Sequence, residues 1–162
     1  MKLITITLLL SCLSTFAKPT STEETARSLA EKIYPLIKAY VETGDRSDGT
    51  ELAELKQRIA TLKQPKLAPA KELKKRRVGV WQTTRHRYSF TTDGTYKIVP
   101  KEAGTTKGSW SIKGDTYTTR TQLDDAEKSM VTTKLEILLL DEDFFVTKVP
   151  GEDTVFFQYR VK

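Results

Sequence analysis

The sequence predicts an α+β protein, with a helical hairpin in front and an antiparallel up-and-down β-meander behind it that forms a small barrel or a partly open one. Three observations predict it. The apolar spacing changes from a period near 3.6 to a period of 2 after Arg77. Two hairpins of the second half have turns whose lengths agree with the faces of the residues they join. The β segments are joined by connections so short that neighbours must pair antiparallel. On this reading residues 1–17 are a signal peptide, 18–77 a basic helical hairpin and linker, and 78–162 a β domain.

The opening MKLITITLLLSCLSTFA places one positive charge, Lys2, before an apolar run from Leu3 to Leu13, and small or neutral residues lead to a cut expected between Ala17 and Lys18. A bilayer span needs about 20 apolar residues, so the run reads as a secretory signal. The expected location is extracytoplasmic, periplasmic or secreted. The alternative is a lipoprotein anchored through Cys12, because Leu9-Leu10-Ser11-Cys12 resembles a lipobox. Cys12 is the single cysteine, so the folded part is expected to have no disulfide and no thiol nucleophile. Charge is unevenly spread: residues 18–77 carry 14 basic against 9 acidic residues, whereas 78–162 carry 12 of each.

In the first half Leu29, Ile33, Leu36, Ile37, Tyr40 and Val41 fall on one helix face, with a capping box expected from Ser21 and Glu24 and a stop at Gly44. Pro35 interrupts this helix and is expected to kink it. A second helix is predicted over about 50–63, with Leu52, Leu55, Ile59 and Leu62 on one stripe, and a third short one from Pro69 through LKKRR. The acidic loop between the first two helices fails the calcium-loop test. With Gly49 in the glycine position, the ligand positions fall on Gly44, Arg46 and Leu55.

Strands are predicted near 78–83, 85–92, 95–100, 107–113, 115–121, 130–140, 143–149 and 154–161. In RHRYSFTTDGTYKI a two-residue turn would put the apolar sets on opposite faces. A three-residue Thr92-Asp93-Gly94 loop instead pairs Phe90 with Tyr96 and Tyr88 with Ile98, with Gly94 left-handed. In GSWSIKGDTYTTRT a two-residue Gly114-Asp115 turn pairs Ile112 with Tyr117 and Trp110 with Thr119.

No constellation for catalysis is found. His86 is the only histidine, and its face, shared with Tyr88 and Phe90, points to a neutral, hydrogen-bonded ring inside the barrel. One histidine and no folded cysteine cannot build the usual zinc site, so neither a metal nor a cofactor is expected. The clusters Asp124-Asp125-Glu127, Asp141-Glu142-Asp143 and Glu152-Asp153 read as solvated loop charges.

The β half carries Gly79-Val80-Trp81 at its start, Gly108-Ser109-Trp110 in its middle and Arg160 in its last strand. The first motif with the terminal arginine resembles the lipocalin and wider calycin pattern, and YSFTTDGTY followed by GSWSIKGDTY is similar to small bacterial secreted lipocalin-like domains. The resemblance covers residues 78–162. It implies a barrel floor closed by Trp81 with Arg160 packed across its ring, and it leaves the helical hairpin unexplained.

The reading that follows is a non-enzymatic binding or accessory protein, with His86, Tyr88, Phe90, Tyr96 and Trp110 lining a concave interior for a small apolar or aromatic molecule. The alternative is a protein partner, inhibitor or envelope assembly factor that docks through an apolar stripe on the hairpin. Lys74, Lys75, Arg76 and Arg77 form a run that a polyanion such as an anionic envelope surface or glycan would contact. Nucleic acid is not an expected partner.

Overall fold

The computed structural model describes residues 24–44, 49–63, 66–100, 106–122 and 129–162. The expected signal peptide with Cys12, Ser21, the interhelical charges Asp45 and Asp48, and the cluster Asp124-Asp125-Glu127 lie outside the described residues. Helices α1 (Ala26–Thr43), α2 (Gly49–Thr61) and α3 (Ala70–Arg77) precede eight strands. These are β1 (Gly79–Gln82), β2 (His86–Phe90), β3 (Thr95–Pro100), β4 (Thr106–Lys113), β5 (Thr116–Gln122), β6 (Met130–Leu140), β7 (Phe144–Lys148) and β8 (Val155–Arg160). Each strand pairs antiparallel with the next, and β1 pairs with β8, so the barrel is closed.

The two turns that carried the prediction have the predicted registers. Phe90 faces Tyr96 and Tyr88 faces Ile98 across β2 and β3, while Ile112 faces Tyr117 and Trp110 faces Thr119 across β4 and β5. Gly94 has φ +82°, the left-handed conformation that ends a three-residue hairpin loop. Helix α1 is capped by Thr25 rather than at Ser21: the Ser28 amide donates to Thr25 Oγ1 at 3.1 Å and the Thr25 amide to Ser28 Oγ at 3.0 Å. A serine at the third helical position does the work usually given to Glu or Gln. Gly44 closes the helix in the left-handed conformation, and α1 runs through Pro35.

Two apolar cores share one sheet. Inside the barrel, Trp81, Phe90, Tyr117, Ile137, Leu140 and Phe145 pack with Leu73 of α3, which plugs one end. Outside it, Leu29, Ile33, Ile37, Leu55 and Ile59 of the hairpin cover Leu138, Phe144, Val146, Val155 and Phe157. Strand β7 is therefore buried on both faces, which explains why Phe144-Phe145-Val146 is a continuous apolar run. A bulge in β6 between Ile137 and Leu139 shifts the alternation by one residue. Leu138 and Leu139 both join the outer core, and Leu140 returns with Ile137 to the inner one.

The hairpin stripe proposed for docking is occupied by the barrel itself. Leu29, Ile33, Leu55 and Ile59 are buried, and Leu52 and Leu62 pack against the same cluster. The acidic loop Asp141-Glu142-Asp143 fastens it further: Arg27 donates to Asp141 at 2.6 Å and to Asp143 at 3.0 Å. The hydrogen bond from Arg27 holds the Asp143 carboxyl below its ordinary range against the opposing effect of desolvation, and Lys162 adds a lesser lowering. A depressed folded-state value means that this contribution is full above the ordinary carboxylate range and is lost as pH falls through the folded value. Urea denaturation of wild type and Asp143→Asn across acidic pH is expected to show wild type more stable near neutrality and the gap closing on acidification. A gap that widens in acid would contradict the assignment.

Candidate functional site

Opposite the α3 plug the barrel opens into a cavity of about 470 Å³. Its aromatic wall comes from the inward faces of three strands: Tyr88 and Phe90 of β2, Tyr96 of β3 and Tyr117 of β5. The Tyr88 and Phe90 rings stack at 5.9 Å and 16°, and Phe90 and Tyr96 at 5.4 Å and 25°, so three rings make one continuous apolar face. Thr119, Thr121 and Thr133 add hydroxyls on the β5 and β6 side, and the Tyr96 hydroxyl bonds Thr121 Oγ1. Phe156 and Gln158 of β8 complete the wall, and Phe156 stays 44% exposed at the mouth.

The mouth is shaped by the turn between β1 and β2. Thr83 Oγ1 accepts from the His86 amide at 3.0 Å and the Arg85 amide at 3.2 Å, so the turn is held by its own side chain. His86 consequently sits on the rim, half-buried, with its ring edge-on to Tyr88 at 6.2 Å. Among the described residues its imidazole has no hydrogen-bond partner, which corrects the expected interior, bonded histidine. Strand β2 carries it one step beyond the packed part of the barrel. Lys56 of α2 reaches the same rim, and burial lowers its pKa.

Of the five expected lining residues, His86, Tyr88, Phe90 and Tyr96 are brought together, and Trp110 is not. Trp110 lies at the plugged end, where its indole N–H donates to the Thr95 carbonyl at 3.0 Å and its ring meets Phe90 edge-on at 5.9 Å. It is the underside of the Phe90 support rather than cavity wall, because the short TDG turn draws the end of β4 beneath it: the Trp110 amide donates to Gly94 O at 2.7 Å.

The floor signature has direct geometry. Trp81 is fully buried, its indole N–H donates to the Arg77 carbonyl at 2.8 Å, and the Arg160 guanidinium lies 4.4 Å from its ring centre. Arg160 also donates to the carbonyls of Val78, Arg76 and Glu142. At Gly79, φ is +128°, a conformation that favours glycine, and a Cβ would come within 2.5 Å of Arg160 Nη1, so any other residue would also displace that guanidinium.

The basic run divides in two. Lys74 and Lys75 are exposed, Arg76 pairs with Glu72 at 3.2 Å, and Arg77 is fully buried inside the barrel. Arg77 is therefore not a polyanion contact. Leu73 and Arg77 are four residues apart on the one face of α3 that enters the plug, and that spacing was the available signal. The sequence reading also missed Tyr117, Phe156 and Gln158. Tyr117 shares a face with Thr119 in β5, and Phe156 and Gln158 share one with Arg160 in β8, so alternation alone could have found them.

No family model and no curated protein matches the chain. Among solved structures the chain is similar to a lipocalin-like protein from Bacteroides uniformis, at 16% identity and a TM-score of 0.43, over 53% of this chain and 99% of that one.

Proposed function

We propose that the protein is a non-enzymatic, extracytoplasmic binding protein that takes a small apolar or aromatic molecule into its barrel. The observation that carries the reading is the open cavity of about 470 Å³ with a stacked wall of Tyr88, Phe90 and Tyr96. Its size falls within the range of about 300–1,000 Å³ typical of small-molecule sites. A wall of rings favours flat apolar partners, and the threonine hydroxyls opposite leave room for polar substituents.

Calorimetric titration with a series of two-ring aromatic compounds is expected to give saturable binding. Thr133→Phe, which projects a ring into the cavity from β6, is expected to abolish that binding while leaving the thermal midpoint near that of wild type. Wild-type protein that binds none of the series, or binding undiminished in a folded Thr133→Phe variant, would remove the reading.

A further inference from the structure

The cavity has a charge beneath it. Among the described residues Arg77 is the one buried side chain that carries a charge, and it lies inside the barrel. Its guanidinium carbon is 3.6 Å from the centre of the Phe90 ring and 4.0 Å from that of Phe145, with Trp81 and Tyr117 each at 5.2 Å. Nη2 donates to the Tyr117 hydroxyl at 3.3 Å, while Nε and Nη1 have no partner among the described residues. The ionisable groups that face it are the phenols of Tyr117 and Tyr88 and the Arg160 guanidinium, and among the described residues no carboxylate joins them. Burying a guanidinium without an anion is costly, and four rings offset only part of that cost.

Phe90 and Tyr117 belong to both environments, since they touch Arg77 on one side and line the cavity on the other. The Tyr117 oxygen accepts from Arg77, which leaves the Tyr117 proton free to be given to something in the cavity. Burial pushes the Tyr117 phenol upward against the opposing pull of Arg77, so the proton is retained at neutral pH. A phenol that already accepts from a cation is a strengthened donor, and its best acceptor is an anionic oxygen. Gln158, whose residue lines the cavity, has a buried Oε1 that is likewise without a partner among the described residues.

We infer that the ligand is an aromatic carboxylate, seated with its ring along Tyr88, Phe90 and Tyr96 and its carboxylate on the Tyr117 hydroxyl, where Arg77 supplies the counter-charge. This rests on the binding role proposed above. A carboxylate fits better than a phosphate because the deep end holds few donors and its other walls, Phe90 and Leu135, are apolar.

The test is calorimetric titration of the full chain with naphthalene-2-carboxylate and with naphthalene-2-carboxamide, which share a ring and differ in charge. In wild type the carboxylate is expected to bind at least about tenfold more tightly, the least that a hydrogen bond to a charged group gives. In Tyr117→Phe, which removes one hydroxyl and no carbon, that preference is expected to fall below about threefold. Arg77→Met is expected to do the same, and Tyr117→Phe decides the matter if the Met variant does not fold. Equal affinities in wild type, or a preference that survives Tyr117→Phe, would overturn the inference while leaving a binding role intact. Binding of neither compound, nor of any other two-ring aromatic, would remove the binding role and this inference with it.

Discussion

Trp81→Ala is expected to lower the unfolding free energy by about 3–5 kcal/mol, the usual loss for emptying an aromatic site in a core. The value belongs at the upper end of single-site effects because several contacts fail together. The indole is fully buried, its N–H satisfies the last carbonyl of α3, and its face carries the Arg160 guanidinium. Phe145 meets it edge-on at 6.2 Å from the opposite wall. Removing the ring leaves a cavity at the floor and takes away the surface on which Arg160 rests. Urea denaturation followed by circular dichroism measures the change. A loss under about 1 kcal/mol would show that the floor is organised by something other than Trp81.

Ile33→Ala is expected to cost about 2–5 kcal/mol, within the range for shortening a fully buried isoleucine. Its second expected result is more informative than its size. Ile33 belongs to the outer core, yet the strands beneath it, β7 and β8, also wall the inner core through Phe145, Thr147 and Gln158. Loosening the hairpin uncovers Phe144, Val146, Val155 and Phe157 at once, which leaves the barrel with a large wet apolar face. Helix and barrel should therefore unfold in one transition, with far-UV and near-UV signals coincident in wild type and variant alike. Two separated transitions, with the barrel signal unmoved by the substitution, would show that the hairpin is an appendage.

The barrel was legible in the sequence because its information is local. A three-residue loop at Thr92-Asp93-Gly94 and a two-residue loop at Gly114-Asp115 each select one register, and the face pattern of the flanking residues agrees with it. The Trp81 and Arg160 stack was legible through resemblance rather than spacing, since the two residues stand at opposite ends of the β half. What was not legible depends on which element covers which. The apolar run of β7 gives no hint that a helical hairpin lies over one of its faces. The β6 bulge changes the phase of Leu139 and Leu140 without any residue that marks it. Arg77 was hidden by its neighbours: in a run of four cations, average character says solvent, and only the position of Leu73 one turn earlier says otherwise. Trp110 was misplaced because alternation assigns a side of the sheet and not a height along the barrel.

The closure of the barrel has a consequence for how the chain behaves in company. Strands β1 and β8 meet through only two residue pairs, Trp81 with Arg160 and Gln82 with Tyr159, supplemented by the Val161 amide donating to Val80 O at 2.9 Å. Every other ladder of the sheet is longer. If this seam parted, two strands would present unpaired backbone groups, the template on which a second chain can add by strand exchange or the start of an aggregate. Arg160 stands at that seam like a rivet: its backbone pairs with Trp81, and its side chain binds carbonyls on the far side of the join, at Arg76 and Val78, and at Glu142 in the turn between β6 and β7. The arginine that shields an indole is thus also what ties together the shortest ladder of the sheet, the place where a closed barrel would first acquire edges.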